Sequence, residues 1–144
     1  MAANDELEQT RAALRMINPA PYNAEAPPAA LFGEITPTDL HYVRSNFALP
    51  DHDGTLTIGG AVDNPITITL ADIKALPAIE RSVTLECAGN GRLEMRPLPI
   101  CEPWGDYAVS TATWKGARLA DVLALAQPTS NGVEVRFEGA DSGP

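Results

Sequence analysis

The sequence predicts an α+β (mixed α/β) domain of short strands and short helices, and three observations support this fold class. Apolar and polar residues alternate in several short runs, as they do in half-buried strands. Two other segments have the apolar spacing of short amphipathic helices. Thirteen prolines in 144 residues interrupt the chain too often for a helical bundle. Since 44% of the residues are apolar and 20% are charged, the chain can form one packed core.

The first 19 residues are predicted to form a helical or flexible extension that precedes a domain over residues 20–144. Residues 5–16 have a helical composition, with acidic residues in the first turn and arginines near the end. Five prolines between residues 18 and 38 exclude a continuous helix there. A flexible linker is one interpretation of that segment, but we favour an extended segment held on the domain surface by apolar anchors. These anchors are Tyr22, Leu31, Phe32 and Ile35.

Four apolar runs alternate with polar residues in the manner of strands. The third run leads directly into Cys87. It is followed by an irregular stretch, residues 88–103, because two glycines and three prolines prevent regular structure there. The predicted strands cover residues 56–58, 66–70, 79–85 and 133–137.

Two short helices are predicted between these strands. Thr69 and Asp72 have the spacing of a capping box, with Asp in place of the usual Glu, and they open a helix that ends before Pro77. The second helix covers residues 118–126, where apolar residues recur on one face.

The charge of the chain is acidic overall but unevenly distributed. Ten Lys and Arg against nineteen Asp and Glu give a formal charge of −9, which argues against a nucleic-acid partner. Residues 81–118 nevertheless carry a net charge of +1. Because charges beyond about 8–10 Å are screened, this segment could bind an anion locally; an ordinary mixed surface is the alternative.

The sequence also bears on membranes and on localisation. Its apolar runs are only a few residues long, too short for a transmembrane helix, so no membrane partner is expected. The N-terminus is acidic where a signal peptide needs a basic and then an apolar region. We therefore expect a cytoplasmic protein, although a processed periplasmic or organellar protein would look the same.

Cys87 is the residue whose position most suggests chemistry. It ends a predicted strand and begins Cys-Ala-Gly-Asn-Gly-Arg, whose glycines permit close backbone approach. A thiol there could be a ligand or a nucleophile, and a soft thiolate suits a soft transition metal. A buried structural cysteine is the alternative. Both histidines, His41 and His52, are far upstream, which weakens a hydrolase interpretation. Cys87 and Cys101 form neither a zinc spacing nor a CxxCH haem motif.

The segment Cys-Ala-Gly-Asn at residues 87–90 resembles the molybdenum-ligand segment of the sulfite oxidase family of molybdopterin enzymes. Four further segments resemble that family in order and in approximate spacing. They are Pro-Tyr-Asn-Ala-Glu-Ala-Pro-Pro at 21–28, and the stretches 36–50, 110–123 and 137–142. The resemblance covers about residues 20–144 and implies a sulfite-oxidase-type molybdopterin-binding fold.

The resemblance implies roles for individual residues. Cys87 corresponds to the thiolate that binds molybdenum beside the pterin dithiolene. Arg44 corresponds to an arginine near the oxyanion substrate, and a planar guanidinium can hold two oxygens at once. Contacts to the pterin are implied for Tyr42, Val43, Arg44, Ser45, Asn46 and Asp141.

Two positions depart from the family pattern, and several residues have plainer interpretations. The family most often has Arg-Asn-His where this chain has Arg44-Ser45-Asn46, and an asparagine can donate a hydrogen bond but carries no charge. Gly91 stands where an arginine is frequent. From the residues alone, Arg44 could be a surface ion-pair partner and Asp141 a turn residue. Trp104 and Trp114 are predicted to pack in the core.

The family implies an oxidoreductase that converts sulfite to sulfate by oxygen-atom transfer at a Cys-ligated molybdopterin centre. The expected cofactor is molybdenum–molybdopterin, with no haem in this chain, so a separate cytochrome or oxygen would accept the electrons. One alternative is a related molybdopterin reductase acting on nitrate or oxidised sulfur compounds. Another is an inactive, cofactor-free fragment.

The family pattern continues after the part that resembles this chain, with the second half of the cofactor domain and then a dimerisation domain. We therefore expect the 144 residues to be the N-terminal portion of the domain, with the fold incomplete at its C-terminal side. On that expectation the intact protein is a homodimer and the 144 residues alone are inactive.

Overall fold

The computed structural model describes residues 13–143, which form two compact units. The first unit holds the described residues up to 49, residues 82–113 and residue 143. The second holds residues 50–81 and 114–142.

Short strands occur in both units and the α-helices described below lie in the second, which confirms the mixed α and β composition. The strands are β1 Arg15–Pro19, β2 Tyr22–Glu25, β3 Thr55–Ile58, β4 Ile66–Thr69, β5 Ala78–Glu86 and β6 Val109–Ala117. They pair as β1 with β2, β3 with β4, and β5 with β6. Between residues 14 and 143 the α-helices are α1 Leu70–Ala75 and α2 Leu119–Ala124. Single 3-10 turns cover Pro28–Leu31, Thr38–Leu40 and Arg92–Glu94. No helix in the described part of the chain is long and apolar enough to cross a bilayer.

The core of the first unit forms around the antiparallel β1–β2 hairpin. The Ala26 N–H donates to the Tyr107 carbonyl over 3.1 Å, which ties the end of β2 to the segment before β6. Ala24, Ala26 and Ala108 are completely buried here, and their small side chains let the backbones approach closely. The fully buried residues here are Asn23, Ala24, Glu25, Ala26, Trp104 and Ala108.

The N-terminal expectations are corrected in two respects. Arg15 and Met16, predicted to end a helix, begin β1, because they pair with β2 in an antiparallel ladder. The predicted helix up to residue 12 lies outside the described residues. Phe32 and Ile35 do not anchor the proline-rich segment, since they are 90% and 43% exposed. The start of that segment is held instead by its pairing in the β1–β2 hairpin, where Asn23, Ala24 and Glu25 are buried.

The second unit confirms the local predictions. β3 and β4 pair antiparallel, with Thr55 opposite Thr69. At the start of α1 the capping box is complete: the Asp72 N–H donates to Thr69 Oγ1 (3.2 Å), and the Thr69 N–H donates to Asp72 Oδ2 (2.8 Å). These hydrogen bonds satisfy backbone donors that the first helical turn leaves unpaired.

Two predictions of non-local structure fail, and one strand is not predicted. Residues 133–137 do not form a strand, and Val133 and Phe137 are 88% and 75% exposed. A strand needs a hydrogen-bonding neighbour, and the described residues supply none for this run. Trp114, expected in the core, is half-exposed, whereas Trp104 is fully buried as predicted. β6 was not predicted, because Ser, Thr, Lys and Gly obscure its alternation.

A buried carboxylate in the hairpin gives a testable stability prediction. Glu25 is fully buried, and Arg15 Nη1 lies 3.1 Å from its Oε2. Arg15→Gln should lower the free energy of unfolding by about 1–3 kcal/mol, because it leaves a buried charged group without its partner. Urea denaturation measures this. Arg118→Gln is the matched control, since Arg118 pairs with Asp121 at the surface and should matter clearly less. Equal losses in both variants would contradict the prediction.

Candidate functional site

The half-buried Cys87 follows β5 directly, and backbone hydrogen bonds fix its place. The Cys87 N–H donates to the Ala108 carbonyl (2.9 Å), so pairing with the segment before β6 continues up to the cysteine. The Asn90 N–H then donates to the Cys87 carbonyl (2.8 Å), which closes a tight turn. The Gly89 N–H lies 3.5 Å from Cys87 Sγ and points a donor at the sulfur. The thiol is therefore held by a short loop of fixed geometry.

Gly89 is buried where no side chain fits. A Cβ added to it would lie 2.6 Å from Arg92 Cζ and 2.9 Å from Trp104 Cδ1. Arg92 Nη1 in turn donates to the Glu102 carbonyl over 2.6 Å. Gly89 therefore lets the loop pack directly against Trp104 and Arg92, which is the close backbone approach that the sequence suggests.

The Asn90 side chain joins the loop to both neighbouring segments. Its Nδ2 donates to Glu86 Oε1 over 3.0 Å, and its Oδ1 accepts from the Ala108 N–H over 2.9 Å. An amide suits this place because it donates at one end and accepts at the other.

Tyr42 comes from a different part of the first unit, and negative charge at Cys87 affects the pKa of its phenol. Burial raises the pKa of the Tyr42 phenol above its ordinary value, and negative charge at Cys87 and Glu86 raises it further. A tyrosine phenol is protonated at neutral pH even without such a shift and can donate a hydrogen bond. The Tyr42 N–H donates to Ser110 Oγ over 3.1 Å, which holds its backbone against β6.

The Arg44 guanidinium is exposed, and its Nη2 donates to Asn46 Oδ1 over 3.1 Å. No carboxylate within residues 13–143 forms an ion pair with it. The surface ion-pair interpretation of Arg44 therefore finds no partner in the described chain. Asn46, where the family often has a histidine, contacts the arginine in this structure.

The backbone between these side chains is fixed by β2. Val43 exchanges two backbone hydrogen bonds with Ala24, of 2.8 and 3.0 Å. Ser45 is held by the side chain of Asn23, a residue that sequence reasoning did not single out. The sequence could have indicated Asn23 only through its place in the 21–28 motif, because the family resemblance there covers a segment and assigns no role to single residues.

The candidate residues divide between the two units. Tyr42, Val43, Arg44, Ser45, Asn46 and Cys87 all belong to the first unit, whereas Asp141 is exposed and belongs to the second. Cys101 is also in the first unit and is exposed.

The donor set bears on which metal-containing group these residues could hold. In the part of the chain that the structure describes, no three His, Cys, Asp or Glu side chains are placed to hold a metal ion. If Cys87 is a ligand, the other positions around the metal would have to be filled by a cofactor or by residues outside the described part of the chain. A fixed, half-buried thiol with an N–H donor at its sulfur fits a metal carried by an organic cofactor.

Comparison with known proteins identifies the family of this chain. Residues 46–144 match the model of the oxidoreductase molybdopterin binding domain. The chain belongs to this family. The match confirms the family resemblance, and with it the molybdopterin cofactor and the oxidoreductase class.

Two curated relatives align with almost the whole chain. It is 39% identical over 149 residues to nitrate reductase (NADH) 1 of Oryza sativa subsp. japonica, covering 96% of this chain and 16% of that protein. It is 38% identical over 141 residues to the mitochondrial sulfite oxidase of Homo sapiens, covering 92% of this chain and 26% of that protein. The chain therefore spans about a quarter or less of the length of these relatives.

A solved structure supports the fold. The sulfane dehydrogenase SoxCD from Paracoccus pantotrophus superposes with a TM-score of 0.69 at 27% identity, covering 80% of this chain and 31% of that chain. Sequence and structure thus both show the family. The relatives are named for different reactions, so the family does not specify one substrate.

Proposed function

We propose that the protein containing this chain oxidises sulfite to sulfate, with Cys87 as the protein ligand to molybdenum and Arg44 as the substrate-binding cation. The observation that best supports this proposal is the Cys87 thiol, fixed at the end of β5 with the Gly89 N–H directed at its sulfur. When bound, molybdopterin supplies two-electron oxygen-atom transfer. The residues of this chain bind and orient the reacting groups.

An oxyanion substrate requires a cation and the absence of nearby repulsion. Arg44 presents a planar guanidinium that is not neutralised by a carboxylate of residues 13–143. Such a group can donate two parallel hydrogen bonds to two oxygens of one anion. The Tyr42 phenol is neutral at neutral pH, and burial shifts its pKa further upward, so Tyr42 can donate to an anion rather than repel it. These features support an anion site around residues 42–46.

Nitrate reduction is the alternative function, because a nitrate reductase aligns with 96% of this chain. Nitrate is also an oxyanion that a guanidinium can bind, so the same residues would serve either substrate. Turnover of sulfite with a cytochrome or oxygen as acceptor, compared with turnover of nitrate with a reduced donor, separates the two. A higher kcat/KM for nitrate would reject the sulfite proposal.

Arg44→Lys should raise the KM for sulfite about tenfold or more while the molybdenum content stays unchanged. Lysine keeps the positive charge but loses the fork that holds two oxygens, and one charge-assisted hydrogen bond contributes about 1.5–3 kcal/mol. Steady-state kinetics and metal analysis of the full protein chain measure both quantities. Arg96→Lys is the matched control, since Arg96 donates only to nearby carbonyls at Leu93 and Met95 among the described residues. An unchanged KM, or loss of molybdenum before any change in KM, would remove Arg44 from the substrate site.

A further inference from the structure

We propose that Asn23 is a positioning residue that fixes the backbone on the C-terminal side of Arg44 and thereby the place of its guanidinium. The inference rests on the proposed function of Arg44 as the substrate-binding cation. Asn23 itself is completely buried within the hairpin.

The Asn23 amide spans the backbone of a single residue, Ser45. Its Oδ1 accepts from the Ser45 N–H over 2.8 Å, and its Nδ2 donates to the Ser45 carbonyl over 3.0 Å. The second Nδ2 proton is used as well, in a 3.0 Å hydrogen bond to the Pro21 carbonyl. A hydrogen bond to both the N–H and the C=O of one residue is what a neighbouring antiparallel strand provides. The side chain of Asn23 therefore substitutes for a strand at Ser45.

The same pairing continues by backbone alone two residues earlier. Ala24 exchanges hydrogen bonds of 2.8 and 3.0 Å with Val43, in an isolated antiparallel bridge. Arg44 thus lies between one residue held by the backbone of β2 and another held by the Asn23 side chain. The bridge itself includes only Ala24 and Val43, so the hydrogen bonds at Ser45 come from the Asn23 side chain.

Positioning matters here because the Arg44 side chain has little support of its own. It is exposed, and its one side-chain hydrogen bond within residues 13–143 is to Asn46, which is also exposed. The location of the guanidinium consequently depends on its fixed backbone neighbours. If Ser45 is released, the guanidinium samples more positions, and small misplacements of a binding group reduce its effect strongly.

The test uses Asn23→Ala in the full protein chain, alone and combined with Arg44→Lys, and Asn18→Ala as the matched control. Asn18 is an asparagine of the same hairpin, but its Nδ2 donates to Glu102 and not to residues 42–46. Hydrogen exchange of the peptide containing Tyr42–Asn46 reports on the backbone without reference to substrate. The KM for sulfite, kcat and molybdenum content report on function.

Asn23→Ala should accelerate exchange at the Ser45 amide about tenfold or more, because the acceptor of that N–H is removed. It should raise the KM for sulfite about tenfold, with kcat and molybdenum content nearly unchanged. In the Arg44→Lys background the further rise in KM should be less than about twofold, since the group being positioned is already impaired. Asn18→Ala should change neither exchange at Ser45 nor the KM.

Each contrary result has a distinct meaning. Unchanged exchange at Ser45 in Asn23→Ala overturns the positioning role, whichever substrate is correct. An equal rise in KM with and without Arg44→Lys also overturns it, because Asn23 would then act on another group. An unchanged KM in Arg44→Lys alone instead rejects the proposed function. If Asn23→Ala does not fold, Asn23→Ser is measured in the same way, since it keeps a polar group in the buried position but loses the amide that spans Ser45.

Discussion

Cys87→Ser is expected to lose nearly all sulfite oxidation while retaining most of its pterin. The substitution replaces a soft thiolate with a hard and mostly protonated hydroxyl, which changes the coordination and redox behaviour of the metal. The pterin should remain because its proposed contacts come from other residues, mainly Tyr42–Asn46. Steady-state turnover, metal analysis and fluorescence of the released pterin measure these outcomes on one preparation.

Cys101→Ser is the matched control for this substitution. Cys101 is exposed and follows a proline-rich loop, so its replacement should leave turnover within a few-fold. If Cys101→Ser is the inactive variant, the metal ligand has been assigned to the wrong cysteine. Normal turnover by Cys87→Ser would show that no thiolate ligand at residue 87 is required.

The parts of the fold that sequence predicts correctly depend on neighbours close along the chain. The capping box of α1 joins Thr69 and Asp72, three positions apart, and forms as expected. β5 also runs into Cys87 as its alternation indicates. In α1 the residues that define the pattern also make the hydrogen bonds. In β5 the alternation lies within the strand itself, although its hydrogen-bonding partner, β6, is distant along the chain.

The predictions that fail depend on residues that are distant along the chain. Alternation over 133–137 specifies two faces, but a strand also needs a hydrogen-bonding partner, and none of the described strands pairs with that run. Phe32 is large and apolar yet 90% exposed, whereas the small Ala24 and Ala26 are fully buried. Hydrophobicity alone does not specify which apolar residues the backbone turns inward, because tertiary packing decides it.

In the candidate site, too, the sequence indicates the local features but not the long-range contacts. The motif at 87–90 points to Cys87, since its spacing is local. The role of Asn23 depends on hydrogen bonds to a residue 22 positions away, and the constraint on Gly89 depends on packing against Trp104. Neither contact leaves a periodic pattern in the sequence. The positions of the supporting residues could therefore be learned only from the structure.

Gly89→Ala should destabilise the protein by about 1–3 kcal/mol and should reduce turnover per bound molybdenum even in the folded variant. The added Cβ would lie 2.9 Å from Trp104 Cδ1, and Trp104 is fully buried, so the indole has no free space to enter. Arg92 could move away only by giving up its 2.6 Å hydrogen bond to the Glu102 carbonyl. The loop must shift instead, and it carries the N–H donor to Cys87 Sγ.

Gly116→Ala is the matched control for this crowding. No atom lies within 4 Å of a Cβ added at Gly116, and neither glycine requires a positive φ, so the two substitutions differ in available space rather than in backbone strain. Gly116→Ala should leave stability unchanged or raise it by about 0.4–1 kcal/mol, because alanine restricts the unfolded chain. Urea denaturation gives the stability of each variant, and sulfite turnover divided by molybdenum content gives the effect on the site. Equal stability of the two variants would show that the loop accommodates a side chain. A destabilised Gly89→Ala with unchanged turnover per molybdenum would instead show that the position of the Cys87 sulfur does not depend on this loop.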